Sequence, residues 1–254
     1  MNAVLRALET VGDEDNHLIL IGGQALSTWV AVLEALGHEF ESEPIASGDI
    51  DFFASQKLVR ECAARLEGKA KTPNLDDATP NSGLVSFIDD EGFTREIDFL
   101  DQVAGLDADD VRKTAQSVVL DPEDGREPIR VWLLHPERCL ESRVHNVLYL
   151  DKATKLGLAQ ARAAVQVARA FTQVVVMDFE EISESERSRV ALNLNERIFK
   201  FALGRKGIDI YLDYGIDVFG AILLDDRLPT KFGECRYPQM RTQLEDKRER
   251  LRQA

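Results

Sequence analysis

Ser47-Gly48-Asp49-Ile50-Asp51-Phe52-Phe53 is the stretch that decides how this chain is read. Side chains alternate between the two faces of a β-strand, so Asp49 and Asp51 point one way and Ile50 points the other. Two ionised carboxylates side by side repel one another, and a divalent cation between them removes that cost. An isolated Asp-x-Asp is also what a strand opening at a solvated surface turn looks like. The flanking sequence weighs against that plainer reading.

Upstream, Leu18-Ile19-Leu20-Ile21 reads as a short buried strand, Gly22-Gly23 as a tight turn and Gln24 to Leu36 as a helix. A chain passing from a strand through glycines into a helix offers free backbone N–H groups and the positive end of the helix dipole, which suits phosphate. Downstream, Phe93-Thr94-Arg95-Glu96-Ile97-Asp98-Phe99-Leu100 is a second strand-like run. Its alternation puts Glu96, Asp98 and Leu100 on one face and Arg95, Ile97 and Phe99 on the other. Asp98 is therefore the third carboxylate expected to join the pair, with Glu96, one pleat away, as its competitor.

A Gly-Gly turn, a strand with paired Asp and a later strand with a third acid, in that order, resemble the nucleotidyltransferase superfamily, the DNA-polymerase-β-like fold. Gly22-Gly23-Gln24-Ala25-Leu26, then Asp49-Ile50-Asp51-Phe52, then Ile97-Asp98-Phe99-Leu100 look most like the branch that contains the AbiEii-type toxins. The resemblance covers residues 15 to 140. It implies an α+β fold, a mixed sheet with flanking helices, followed by a helical C-terminal domain. It also implies an enzyme that moves a nucleoside monophosphate from a nucleoside triphosphate to an acceptor hydroxyl. Asp49, Asp51 and Asp98 would be its catalytic carboxylates and the ligands of two Mg²⁺ ions. Gly22, Gly23, Ser27 and Ser47 would face the nucleotide, although Ser27 is equally well read as polarity in a first helical turn. Members of that branch often carry an Arg shortly before the Ser or Thr that precedes the paired acids. Here those positions read Glu43-Pro44-Ile45-Ala46, so that contact is missing or comes from elsewhere. Arg138, Arg143, Lys152 and Lys155 are the candidate cations for the triphosphate, Arg143 first among them; each is also readable as a solvated surface charge. A tRNA end, a protein side chain or a small molecule such as an aminoglycoside are the acceptors to weigh, and a toxin-like chain would have an antitoxin partner.

Composition bounds the rest. The chain has 254 residues, 44% hydrophobic and 30% charged, as an ordinary globular protein has. A net charge of -14 argues against broad, non-specific nucleic-acid binding, which depends on clustered Lys and Arg. Cys62, Cys139 and Cys235 lie far apart, without disulfide or zinc spacing, and are read as reduced thiols. His17, His38, His135 and His145 have no spacing that makes a metal site or a Ser-His-Asp arrangement. Met1 to Thr10 lacks a basic start followed by an apolar run, and no stretch approaches 18 apolar residues, so a cytoplasmic protein outside the membrane is expected.

Taken in order, residues 1 to 11 read as an amphipathic helix on the first strand, and Gly12 to Asn16 as the loop after it. Ala25, Leu26, Trp29, Val32, Leu33 and Leu36 form a core stripe that Gly37 closes. Glu39 to Ala46 reads as a loop, Leu58 to Leu66 as a helix, and Lys69 to Gly83 as a mobile surface loop. Leu84 to Ile88 and Phe93 to Leu100 form a hairpin about Asp89-Asp90-Glu91-Gly92. A short helix over Asp107 to Ala115 precedes a hairpin about Asp121 to Gly125. From Pro136 the pattern is helical to about Phe179, and a capping box at Ser183 and Glu186 starts another helix to Leu203. Tyr211, Tyr214, Phe219 and Ile222 are read as core. The last stretch, from Arg236, carries an excess of Arg and Lys over acids, as a solvated helix or a nucleic-acid-facing one would. The shift to helix alone places a boundary near 135, giving a catalytic domain over 1–135 and a helical domain over 136–254.

Two other classes share the Asp-x-Asp. Glycosyltransferases bind metal and nucleotide-sugar with it, but a longer run of strand-helix units normally precedes it there. A non-catalytic nucleotide-binding or regulatory module could keep the same fold; the presence of all three acids argues against that, because loss of activity usually removes a metal ligand.

Overall fold

The computed structural model describes residues 2–13, 16–41, 45–74, 79–121, 126–177 and 182–253. Its contacts divide the chain into two compact units, one of residues 1–28 and 46–139, the other of residues 29–45 and 140–254. The first holds the sheet and the second is helical, so the architecture is α+β.

Among the described residues the first unit contains strands β1 (Ile19–Leu20), β2 (Ile50–Phe53), β3 (Lys69–Lys71), β4 (Asn81–Ile88), β5 (Thr94–Leu100), β6 (Gln116–Leu120) and β7 (Ile129–Leu133). They form one mixed seven-stranded sheet in the order β3-β4-β5-β2-β1-β7-β6. β2 pairs parallel with β5 and β1 parallel with β7, while the other neighbours are antiparallel. Helices α1 (Asn2–Leu8), α3 (Gln56–Arg65) and α4 (Ala108–Thr114) belong to this unit. α4 starts where Asp107 accepts hydrogen bonds from the N–H groups of Asp109 and Asp110. Ile97, Phe99 and Phe52 are buried on the face of the sheet opposite the acids, and the Phe52 and Phe99 rings stack at 5.9 Å. Each such side chain contributes about 1.5–3 kcal/mol of burial, which fixes the register and with it the direction in which the acids point.

α2 (Gly22–Ala35) and α5 (Pro136–Tyr149) have residues in both units. The second unit adds α6 (Lys155–Met177), α7 (Glu184–Leu203), α8 (Arg205–Tyr214), a 3₁₀ turn (Val218–Ala221), a π-helical turn (Phe232–Arg236) and α9 (Tyr237–Arg252). α6 packs on α7, and α7 packs on α8 and α9. Buried Asn195 of α7 gives and receives a hydrogen bond with the Leu223 backbone, at 3.0 and 2.9 Å. Ser183 caps α7 through the Glu186 N–H, as its spacing predicts.

Several expectations need correction. Gly22 and Gly23 are the first residues of α2 rather than a turn before it, and Leu36 is exposed. The surface loop expected over 69–83 contains β3 and the start of β4; Leu75 to Ala78 lie outside the described residues, as do Glu14, Asp15, Ser42 to Pro44 and Pro122 to Gly125 of the other predicted loops. The helical run after Pro136 is two helices. Asp151 has a positive φ of 51°, and the chain restarts where the Thr154 hydroxyl accepts a hydrogen bond from the Gly157 N–H. Tyr214 is exposed, and Tyr211 is half-buried with the Arg248 and Arg252 guanidiniums over its ring at 3.6 and 5.4 Å; Gly215, in the left-handed region, ends α8 before the buried Phe219 and Ile222. No helix among the described residues is long and apolar enough to cross a membrane.

Candidate active site

The site lies in the first unit, on strands at the middle of the sheet. β2 and β5 pair in parallel with Ile50 opposite Ile97 and Asp51 opposite Asp98. Residues directly opposite in neighbouring strands share a face, so the Asp51 and Asp98 side chains stand next to each other while Ile50 and Ile97 face away. Asp49 is one residue ahead of the strand, in an exposed bend. Its backbone N–H donates to the Ser47 hydroxyl at 3.3 Å, which gives the bend its shape.

The first turn of α2 closes against this face. The Ile21 N–H donates to the Asp51 carbonyl at 3.0 Å, and the next residue, Gly22, has a positive φ of 70°. A Cβ on Gly22 would lie 2.4 Å from the Asp51 Oδ2, so only glycine lets the helix start come this close to the carboxylate. Gln24, on the same turn, donates its side-chain amide to the Ser47 carbonyl and ties the acid-bearing bend to the helix. Ser27 donates its hydroxyl back to the Gly23 carbonyl at 3.0 Å. These contacts bring Gly22, Gly23, Gln24 and Ser47 to the strands that carry Asp51 and Asp98, and Asp49 lies near enough for its charge to act on Asp98.

The acids feel one another. Burial lifts the Asp98 carboxyl above its usual range, and the charges of Asp49 and Glu96 lift it further. Asp98 is half-buried, whereas Glu96 is exposed and accepts a hydrogen bond from the Ser86 hydroxyl at 3.2 Å. Toward the far end of β2 the same face becomes apolar, with buried Phe53 under the Arg112 guanidinium at 4.7 Å. The donors are carboxylate oxygens, the hard ligands that Mg²⁺ and Ca²⁺ prefer. Among the described residues no three acidic, histidine or cysteine side chains are gathered tightly enough to cage a cation unaided.

The four cations offered for the triphosphate fall differently. Arg138 belongs to the first unit and pairs with Asp110 at 2.9 Å. Arg143 belongs to the second unit, where it donates to the Gln160 Oε1 at 3.3 Å; Gln160 in turn donates to the Ile45 carbonyl at 2.9 Å. Lys152 and Lys155, also of that unit, are exposed. Gln24 is the residue that sequence reasoning passed over. Its signal was there, a long amide directly after two glycines at a helix start, but its acceptor is 23 positions away. Comparison with protein-family models, with curated proteins and with solved structures finds no match to this chain.

Proposed function

We propose that this chain is a Mg²⁺-dependent nucleotidyltransferase that transfers a nucleoside monophosphate from a nucleoside triphosphate to an acceptor hydroxyl. The observation that carries the reading is the in-register pairing of Asp51 with Asp98 on parallel strands, beside a glycine helix start that touches Asp51. Repelling carboxylates on one face are best accounted for by a cationic occupant. The donor set fits: Mg²⁺ is commonly held by one or two carboxylates and completes its shell with substrate phosphates and water. Asp49, Asp51 and Asp98 would hold two such ions, which supply charge neutralisation on the entering and leaving oxygens of an in-line displacement.

The remaining work falls to the chain. Backbone N–H groups at Gly22 and Gly23 take the β- and γ-phosphates, helped by the dipole of α2. Gln24 and Ser47 hold the Asp49 bend at a fixed offset from those phosphates. As the acceptor oxygen bonds to the α-phosphorus, the bond to the bridging oxygen breaks and pyrophosphate leaves. Asp98 would take the proton of the acceptor hydroxyl as that bond forms. A tRNA end, a protein side chain and a small-molecule hydroxyl are the acceptors to test, and a toxin role follows only from the first two.

Thermal stability with each nucleoside triphosphate, with and without Mg²⁺, tests the reading on the wild type and on Asp49→Ala/Asp51→Ala. A ligand at a hundred times its Kd raises stability by about 2.7 kcal/mol. The expected result is a rise beyond that given by Mg²⁺ alone, needing both metal and nucleotide and absent from the variant, whose own melting temperature is unchanged or higher because a like-charge repulsion is gone. No rise with any nucleotide would transfer the site to a non-catalytic module.

A further inference from the structure

The acid-bearing face of the sheet continues past Asp98 to the edge strand β3. Lys71 pairs with Leu84 of β4, Leu84 with Asp98 of β5 and Asp98 with Asp51 of β2, so these four side chains stand in one row on one face. Lys69, Ser86 and Glu96 form the next row of the same face, and the hydrogen bond from Ser86 to Glu96 bears out the register. α3 packs on the other face, where a Cβ on Gly83, opposite Phe99, would meet the Val59 side chain at 2.8 Å. Both lysines are exposed, and neither has an ion-pair partner among the described residues. Lysines on an edge strand also discourage pairing with another chain. The sheet's other edge, Gln116-Ser117-Val118-Val119-Leu120 of β6, carries no charged side chain, so edge protection does not by itself account for the pair.

The place of the lysines in these rows selects their ligand, given the nucleotidyltransferase reading on which this inference rests. Gly22 touches Asp51 from the β1 side and Lys71 lies on the β4 side of Asp98, so the two flank the acids from opposite directions. Donor phosphates at Gly22 and Gly23 make pyrophosphate leave toward α2. In an in-line displacement the acceptor enters opposite the leaving group, which is the Asp98 side. Beyond Asp98 the row offers apolar Leu84 and then Lys71, two strand spacings or about 10 Å away. Lys69 and Lys71 are two residues apart, about 6.6 Å along the strand, and a lysine is a common point-charge partner of phosphate. We infer that the acceptor carries phosphate close to its reacting hydroxyl and that Lys69 and Lys71 bind it. A nucleic-acid chain end and a small phosphorylated molecule are the two sources of that chemistry.

Calorimetric titrations on the full chain test this. The wild type is first titrated, in Mg²⁺, with the α,β-methylene analogue of each nucleoside triphosphate, which binds without transferring. To the chain so loaded are added a ribotrinucleotide ending in a 3′-hydroxyl, ribose 5-phosphate, and ribose. At least one phosphate-bearing probe is expected to bind saturably with a Kd below about 1 mM, and ribose not to bind. Lys69→Gln/Lys71→Gln is expected to weaken that probe about tenfold while leaving the Kd of the analogue unchanged, and Lys69→Arg/Lys71→Arg to restore most of the loss. Binding of ribose 5-phosphate assigns the pair to a small phosphorylated molecule, and binding of the trinucleotide alone to a chain end. Failure of every analogue to bind the wild type overturns the nucleotidyltransferase reading and this inference with it. With an analogue bound, the inference alone is overturned if no phosphate-bearing probe binds, if the glutamine variant keeps the wild-type affinity for it, or if that variant loses affinity for the analogue instead, which would give the lysines to the donor.

Discussion

Gly22 is the residue on which the site is most finely balanced. Alanine there meets two obstacles, a backbone at φ 70° and an Asp51 Oδ2 only 2.4 Å from the new Cβ. The first costs about 1–2 kcal/mol; the second is relieved only if the Asp51 carboxylate swings away. Gly22→Ala is therefore expected to fold with a lowered melting temperature and to lose the rise given by Mg²⁺ and nucleotide. A variant that keeps the full rise would show that Asp51 does not need its present position. On β5 the competing acids separate by environment, since Asp98 is half-buried opposite Asp51 while Glu96 is exposed and bonded to Ser86. Asp98→Ala is expected to abolish the ligand-dependent rise and Glu96→Ala to preserve it, and the reverse pair of results would transfer the role to Glu96. At this scale the shared face of Asp51 and Asp98 was legible because strand periodicity fixes it, whereas Asp49 lies in a bend ahead of β2 where that periodicity does not apply. The contact of Gly22 with Asp51 and the tie from Gln24 to Ser47 were not, because both depend on how distant segments meet.

Among the elements, the join between α7 and the π-helical turn shows how a pair of side chains carries a pH-dependent part of stability. Arg236 donates two hydrogen bonds to the Glu196 carboxylate, both at 2.6 Å, and these hold the Glu196 pKa below its ordinary 4.5 against the opposing effect of burial. A depressed carboxylate pKa stabilises the fold above the unfolded value, and that contribution fades as pH falls through the folded one. Both side chains are partly open to solvent, so the pair contributes no more than about 1 kcal/mol. Glu196→Gln is expected to melt a few degrees below the wild type at pH 7, and the gap is expected to close as pH falls below the ordinary carboxylate range and Glu196 protonates; a gap that stays constant as the pH is lowered would assign the effect to packing. The same element scale separates what local signals can give from what they cannot. α4 and α7 were legible through Asp107 and Ser183, whose side chains cap locally. Thr154 and Gly215, which end one helical run and start another, carried equally local signals that the apolar periodicity around them masked. β3 had no local signal: Lys69-Ala70-Lys71 is exposed throughout and is a strand only because β4 pairs with it.

For the whole molecule, 45 acidic residues against 31 basic ones leave a self-repulsion that the compact state has to carry. Composition made this legible before any fold was, and it bears directly on how a cation effect is to be read. Any added salt screens the repulsion over roughly 10 Å or less at ordinary ionic strengths, and Mg²⁺ does so more effectively than K⁺ at equal concentration. Both salts alone are therefore expected to raise the melting temperature of the wild type, and to raise that of Asp49→Ala/Asp51→Ala nearly as much, because the pair is only a small part of the acid total. Nucleoside triphosphate binds and chelates Mg²⁺, so its addition lowers this general screening while filling a specific site. In the variant the nucleotide should then lower or leave unchanged the Mg²⁺-induced rise, whereas in the wild type it should increase it. Melting curves at matched ionic strength measure the two effects with opposite signs. An equal increase in both proteins would mean that the nucleotide acts outside the paired carboxylates.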